Sequence, residues 1–186
     1  VGEKPFTIMD EDACRDVLSA YCTFCEEEMA LTFAEGDRTP LKLSKDGNVT
    51  LPKGIRDSLD KYFDAQWNLI EQPESLGGYS APKAIQWACF EFLAGANASI
   101  CFYLLGNFMG KLINQIGTES QKERYVDGLV NQRWGATMVL TEPSAGSDVG
   151  AGRTKAIHLE DDVWAIEGVK RFITNGDFDG PDNIVH

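Results

Sequence analysis

The sequence contains no block of basic residues, and only two of its 186 residues are histidines. Its 29 acidic side chains outnumber the 17 basic ones, which gives a net charge of −12. Proteins that bind nucleic acid neutralise phosphates with basic side chains, and anionic membrane surfaces attract the same charge. The composition therefore argues against nucleic acid and against a charged membrane surface as partners.

The five cysteines do not form the pattern of a disulfide framework, because their number is odd and their surroundings are typical of helices. Cys22 and Cys25 have the spacing of a redox or zinc pair. However, no strand precedes them, and only His158 and His186 could add imidazole ligands. We interpret all five as reduced thiols and expect no metal site.

The N-terminus lacks a basic segment followed by an apolar core and a cleavage site, so a secretory leader is not indicated. The chain starts at Val1 without a methionine, which suggests a trimmed end. Residues 92–110 carry no charge and have the length of a membrane span, but Gly95, Asn97 and Asn107 dilute their hydropathy. We therefore expect a buried helix, no membrane span and a cytoplasmic location.

Residues 1–133 are predicted to form an N-terminal helical domain. Apolar side chains recur there at three- and four-residue spacing, which is the period of a helix with one buried face. Pro82 stands where a helix can start, and Thr118 or Ser120 is expected to cap the last helix. A small hairpin is expected at Asp46-Gly47. The predicted helices cover residues 10–35, 52–70 and 120–131, and two further helices with a weak point between them at 95–97 cover 82–116.

The pattern changes at Trp134, beyond which short β-branched runs alternate between apolar and polar residues. Asp161-Asp162 is the expected turn between the two middle strands. Four strands are too few for a closed barrel or sandwich, so residues 134–186 are predicted to be the incomplete start of an antiparallel β domain. The fold class is thus mainly α with a β part. The predicted strands cover residues 136–141, 153–159, 163–167 and 169–174.

Two of these predicted strands end at a threonine, Thr141 and Thr174. The first runs into a loop in which Gly146 would let a ligand approach the main chain closely. Side chains two apart on a strand share a face, so Phe172 would lie beside Thr174 and place a ring next to a hydroxyl donor. From spacing alone, this pattern fits a site for a flat heteroaromatic ring or an ordinary hairpin corner.

The residue strings favour the first interpretation. TEPSAGSDVGAGRTKA at 141–156, followed by IEGVKRFITNG at 166–176, resembles the flavin-binding signature of the acyl-CoA dehydrogenase family. The resemblance continues through PESLGG at 73–78 and GTESQK at 117–122. The closing residues, 176–186, are similar to the longer bacterial members.

The resemblance implies a helical N-terminal domain, a β middle domain and a second helical domain, the last of which these residues do not reach. It implies FAD-dependent α,β-dehydrogenation of an acyl-CoA thioester, in which a glutamate takes the α proton and a hydride passes to flavin N5. That glutamate usually lies in the C-terminal helical domain, so no catalytic residue is assigned here. The chain alone is expected to be inactive and to bind FAD weakly. The implied partners are an acyl-CoA, an electron-transfer flavoprotein and further copies of the chain.

The resemblance also implies roles for single residues. Thr141 would donate to the pyrimidine edge of the flavin, Thr174 would reach N5, and Phe172 would pack on the ring where many family members have tryptophan. Ser147 would bind the pantetheine or CoA portion. The residues alone also fit a turn hydroxyl at Ser147 and plain strand propensity at the two threonines. The full set of implied cofactor residues is Met138, Leu140, Thr141, Gly146, Phe172, Ile173 and Thr174.

Two other functions are compatible with the sequence. An acyl-CoA oxidase would return the electrons to dioxygen, and a helical interaction module would need no catalytic base. The intact Thr141 and Thr174 argue against the module. Trp67, Phe90 and Tyr103 could each line an acyl pocket, although we expect all three in the core.

Overall fold

In the computed structural model, which describes residues 1–4 and 6–186, six α-helices precede most of the strands. The helices are α1 (Glu11–Phe24), α2 (Phe33–Arg38), α3 (Lys53–Asp64), α4 (Lys83–Tyr103), α5 (Leu105–Ile116) and α6 (Glu119–Val130). The strands are β1 (Lys42–Leu43), β2 (Val49–Thr50), β3 (Gly135–Ala136), β4 (Lys155–Glu160), β5 (Val163–Glu167) and β6 (Ile184–Val185). The predicted class, mainly α with a β part, is confirmed.

The N-terminal helix changes its pitch partway along. Asp10 caps α1 by accepting a hydrogen bond from the Ala13 amide at 2.8 Å. After Phe24 the chain widens into a π-helical turn (Cys25–Met29), tightens into a 3₁₀ turn (Ala30–Thr32) and continues as α2. The predicted helix over 10–35 is therefore present, but with the kind of local widening that often marks functional positions.

The two helices predicted over 82–116 are both present, but they separate at Leu104 and not at the predicted weak point, 95–97. Pro82 precedes α4, and α4 departs from helical dihedrals at Asn97 (φ −157°, ψ 90°), within the predicted weak point. Beyond Leu104 the chain continues as α5, and the two helices are bent by 68°. No single helix among the described residues is long and apolar enough to cross a membrane, although α4 and α5 together reach that length and composition.

The cap of α6 follows the prediction. Thr118 Oγ1 accepts from the Gln121 amide at 3.3 Å, and Gln121 Oε1 accepts from the Thr118 amide at 2.9 Å. This reciprocal pair satisfies two amides that the first turn of a helix leaves free. The sequence therefore located the start of α6 correctly.

The core lies between α1, α3 and α4, where aromatic rings meet. Tyr21 is 2% exposed, and its ring centroid lies 4.8 Å from that of Trp67 and 6.5 Å from that of Tyr62. Burial raises the pKa of both tyrosines well above the usual range, so they stay neutral. Leu93 and Ile100 of α4 complete the contact. α4 is thus anchored by burial on either side of Asn97.

The five cysteines are unpaired thiols in this structure. Burial raises the pKa of Cys25 to about 12 and that of Cys89 to about 11. Such thiols are poor nucleophiles, because the thiolate is the reactive form. In the described part of the chain, no three His, Cys, Asp or Glu side chains form a metal-binding group.

The β part agrees with the prediction only in its middle. β4 and β5 pair antiparallel around a turn at Asp161, close to the predicted bounds. The predicted strands over 136–141 and 169–174 are wrong. In residues 136–141, strand pairing stops soon after β3. In residues 169–174, Phe172 has φ 58°, a left-handed backbone angle that a regular strand does not contain. β3 pairs with β6, and that pair is parallel.

The segment just before β6 packs against the helical part of the chain. The Asp179 carboxylate lies 2.7 Å from Arg56 and accepts from the Leu51 amide at 2.8 Å. The Phe178 side chain is buried, and its ring centroid lies 5.0 Å from that of Tyr103. These contacts fix the segment that follows Thr174 against α3 and α4.

We predict that Asp179→Ala lowers the free energy of unfolding by about 1–2 kcal/mol, because it removes one charge-assisted hydrogen bond and one partly exposed ion pair. Asp179→Asn keeps an oxygen acceptor for Leu51 and should lose less than half as much. Urea unfolding followed by tryptophan fluorescence measures both. Equal stability of the three proteins would contradict the role of this carboxylate.

Candidate functional site

The two halves of the sequence motif lie side by side. Lys170 Nζ donates to the Leu140 carbonyl at 3.0 Å, and the Arg171 amide donates to the Thr141 carbonyl at 2.9 Å. Thr137 Oγ1 donates to the Thr174 carbonyl at 2.5 Å. The structure therefore brings together the segments that carry Thr141 and Thr174, with a few specific bonds in place of a strand ladder.

A buried carboxylate holds the loop that follows Thr141. Glu142 is 6% exposed and accepts from the Arg153 amide at 2.6 Å, the Thr154 amide at 3.0 Å and Lys170 Nζ at 2.9 Å. The Arg153 bond and the others favour the ionised form and hold the pKa of Glu142 well below its usual range. The sequence analysis missed this role. The sequence feature that could have revealed it was an acidic residue at the Glu-Pro turn together with a lysine in the facing segment.

The predicted cofactor residues are mostly accessible. Met138 is 59% exposed, Leu140 54% and Phe172 79%. A Cβ placed on Gly146 would meet no atom within 4 Å, so the space beside this glycine is open. Thr141 and Ile173 are half-buried, whereas Ser147 and Thr174 are exposed. The motif thus presents apolar side chains and hydroxyls toward free space.

Phe172 and Thr174 do not share a strand face as predicted, because no strand forms there. The left-handed backbone at Phe172 turns its side chain outward, and the Arg171 guanidinium lies 4.6 Å from the ring centroid. Asn175 is also left-handed, with φ 58°. Such backbone angles cost free energy in residues other than glycine and are concentrated at functional sites.

A cleft of about 260 Å³ separates the end of α4 from the second half of the motif. Asn175 Nδ2 donates to the Phe102 carbonyl and ties the two walls together. Thr174 was predicted from the sequence, and Tyr103 was considered as a pocket residue. The other three lining residues were missed, because no local pattern marks them. The cleft is lined by Ser99, Phe102, Tyr103, Thr174 and Asn175.

A second, mainly apolar cavity of about 310 Å³ lies among α3, α4 and α5. Trp67 lines it and also packs in the aromatic core, as predicted. Tyr103 packs against the core on Phe178, as predicted, and also lines the cleft. Phe90 lines the cavity and is 47% exposed, so its predicted place in the core is wrong.

The cleft and the cavity share the last turn of α4. Phe102 and Tyr103 line the cleft, whereas Cys101 and Leu104 line the cavity. The two spaces are therefore next to each other along the helix.

Comparisons with known proteins agree on one family. The model of the acyl-CoA dehydrogenase N-terminal domain matches residues 12–133. Over its whole length the chain is 43% identical to the broad-specificity linear acyl-CoA dehydrogenase FadE5 of Mycobacterium tuberculosis, of which it covers 31%.

Solved structures share the fold. The butyryl-CoA dehydrogenase of Megasphaera elsdenii matches 90% of this chain with a TM-score of 0.65 and 26% identity, and the chain covers 42% of it. A structure described as the electron transferring flavoprotein of Acidaminococcus fermentans matches 90% of this chain with a TM-score of 0.69 and 27% identity, and 41% of that chain is covered. The chain thus spans less than half the length of these relatives.

We predict that Glu142→Gln speeds amide hydrogen exchange at Arg153 and Thr154 by about tenfold or more, because neutral acceptors form weaker bonds. In the unchanged protein these amides should stay protected well below pH 4.5, since the lowered pKa keeps Glu142 ionised until the pH falls through its folded value. Glu160→Gln, on exposed β4, is the control. Unchanged exchange in Glu142→Gln would refute the anchoring role.

Proposed function

This chain belongs to the acyl-CoA dehydrogenase family, and we propose that the whole protein catalyses FAD-dependent α,β-dehydrogenation of an acyl-CoA thioester. The observation that carries the proposal is the adjacency of the Thr141 and Thr174 segments, next to a cleft whose other wall is α4. The chain would supply part of the cofactor and substrate site. The catalytic base would come from elsewhere in the whole protein.

The residues of the motif fit a flavin. Phe172, Met138 and Leu140 offer exposed apolar surface for a flat ring, and Gly146 leaves space for a close approach. When bound, FAD supplies the hydride acceptor of the reaction. The hydroxyl of Thr141 would donate to the polar edge of that ring.

Preorganisation supports the roles of the two threonines. The carbonyls of Thr141 and Thr174 already accept from the Arg171 amide and from Thr137 Oγ1, so the backbone at both residues is fixed before a ligand arrives. Donors held in place lower the cost of stabilising negative charge that develops during a reaction. The Thr174 hydroxyl would act in this way near the hydride-accepting position.

The substrate would extend over both spaces along α4. We propose that the cavity lined by Phe90, Leu93 and Leu104 takes the acyl tail, because its walls are mainly apolar. The cleft beside Thr174 would take the thioester end. Ser147, which is exposed on the loop, would bind the pantetheine or CoA portion.

The proposed electron acceptor is an electron-transfer flavoprotein. The relative CarC of Acetobacterium woodii, which is named as a subunit of the caffeyl-CoA reductase-Etf complex and is 30% identical over 150 residues, supports this choice. Assembly into a homo-oligomer and a cytoplasmic location stay predictions.

We predict that Thr174→Val in the FAD-loaded whole protein slows flavin reduction by acyl-CoA by about tenfold or more, because one preformed donor is lost. Stopped-flow bleaching of the visible flavin absorbance without oxygen measures the rate. Thr50→Val, in exposed β2, is the matched control and should not change it.

The same experiment tests the proposal as a whole. Failure of the unchanged protein to bleach with acyl-CoAs of any length would refute dehydrogenation. Hydrogen peroxide formed in amounts equal to the enoyl product once dioxygen is admitted would identify an oxidase instead.

A further inference from the structure

Helix α4 leaves helical geometry at Asn97, a residue with no exposed surface. Kinks inside helices have identifiable causes, namely proline, glycine pairs, π-bulges or a side chain that disturbs the hydrogen-bond ladder. The next residues, Ala98 and Ser99, resume the helix, so the disturbance is confined to one position. Its cause has to lie in what Asn97 contacts.

The Asn97 carboxamide contacts the turns that follow α1. Its Nδ2 donates to the Met29 carbonyl at 3.3 Å and to Thr32 Oγ1 at 3.2 Å. Met29 ends the π-helical turn, and Thr32 Oγ1 also lies 2.7 Å from Ser58 Oγ of α3. A buried donor without a partner is costly, so these acceptors hold Asn97 in its non-helical conformation.

The kink determines which way the end of α4 faces. In a regular helix each residue turns by about 100° relative to the one before it, so one non-helical residue changes the orientation of every later side chain. Before Asn97, the cavity is lined by Trp87, Phe90 and Leu93. After it, Cys101 and Leu104 line the same cavity, while Phe102 and Tyr103 line the cleft.

We propose that Asn97 is a positioning residue, whose bond to the Met29 carbonyl sets the shape of the cavity and its alignment with the cleft beside Thr174. That the cavity takes an acyl tail rests on the proposed function. That Asn97 controls the direction of α4 does not rest on the proposed function.

The first test compares two buried polar residues of the same cluster. Asn97→Ala removes both bonds to the turn and favours a regular helix. Ser58 is 1% exposed. Ser58→Ala removes its contact with Thr32 and leaves the bond between Asn97 and Met29 intact. Both variants should lose stability, but only the first should redirect α4.

Nuclear Overhauser contacts in this chain report the direction of α4. We expect Asn97→Ala to lose the contacts between Phe102 and Asn175 and between Tyr103 and Phe178, and Ser58→Ala to keep them. A milder variant, Asn97→Ser, has a side chain too short to reach Met29 and should lose the same contacts. Contacts that persist in both Asn97 variants would overturn the proposal, as would their equal loss in Ser58→Ala.

The second test measures kcat and KM of the whole protein over a series of acyl-CoA chain lengths. Asn97→Ala should raise KM for long acyl chains by about tenfold and leave KM for short chains within about twofold, while kcat falls at every chain length, because the cleft wall at the thioester end moves with the same turn. Ser58→Ala should change neither. An equal rise in KM at all chain lengths would overturn the positioning role.

The two tests distinguish the proposed function from the positioning role of Asn97. If the unchanged whole protein does not reduce its flavin with any acyl-CoA, the proposed function fails. The contacts of Phe102 and Tyr103 still decide whether Asn97 directs α4.

Discussion

The buried carboxylate of Glu142 is the constraint on which the candidate site depends. A charge that is removed from water has to be paired and hydrogen-bonded, and here its donors come from two separate parts of the chain. Arg153 and Thr154 lie just before β4, and Lys170 lies beyond β5. All three can reach Glu142 only when the loop, the hairpin and the segment with Thr174 have come together. The site is therefore assembled by electrostatics and not by a continuous sheet.

The helical part of the chain contributes one wall of the site, the last turn of α4. That wall is fixed at its far end by the bond from Asn175 to the Phe102 carbonyl and by the edge-to-face packing of Tyr103 on Phe178. Asp179 extends the attachment to the start of α3 through Arg56. The motif and the helices thus form one connected unit, in which aromatic packing and an ion pair replace extensive strand pairing.

Local signals in the sequence were enough for the helices. The hydroxyl at Thr118, the proline at position 82 and the weak point that includes Asn97 act within one or two turns, so they can be read without knowledge of distant contacts. The strand predicted over 169–174 failed for the opposite reason. Its β-branched and aromatic residues suit a strand, but Lys170 and Arg171 bond to carbonyls about thirty residues away, and Phe172 takes a left-handed conformation. The same limit explains why the motif revealed Thr174 but not the cleft wall on α4.

The shape of the cavity and the placement of the cleft cannot vary independently, because consecutive residues of one helical turn line both. Cys101 and Leu104 face the cavity, and Phe102 and Tyr103 lie between them and face the cleft. A rotation of this turn that widened the cavity would also move the wall opposite Thr174. Under the proposed function, reshaping α4 for a different acyl tail would therefore disturb the alignment of the thioester end. Substitutions at cavity residues before Asn97, such as Phe90, would avoid this coupling, since the kink separates them from the turn that both spaces share.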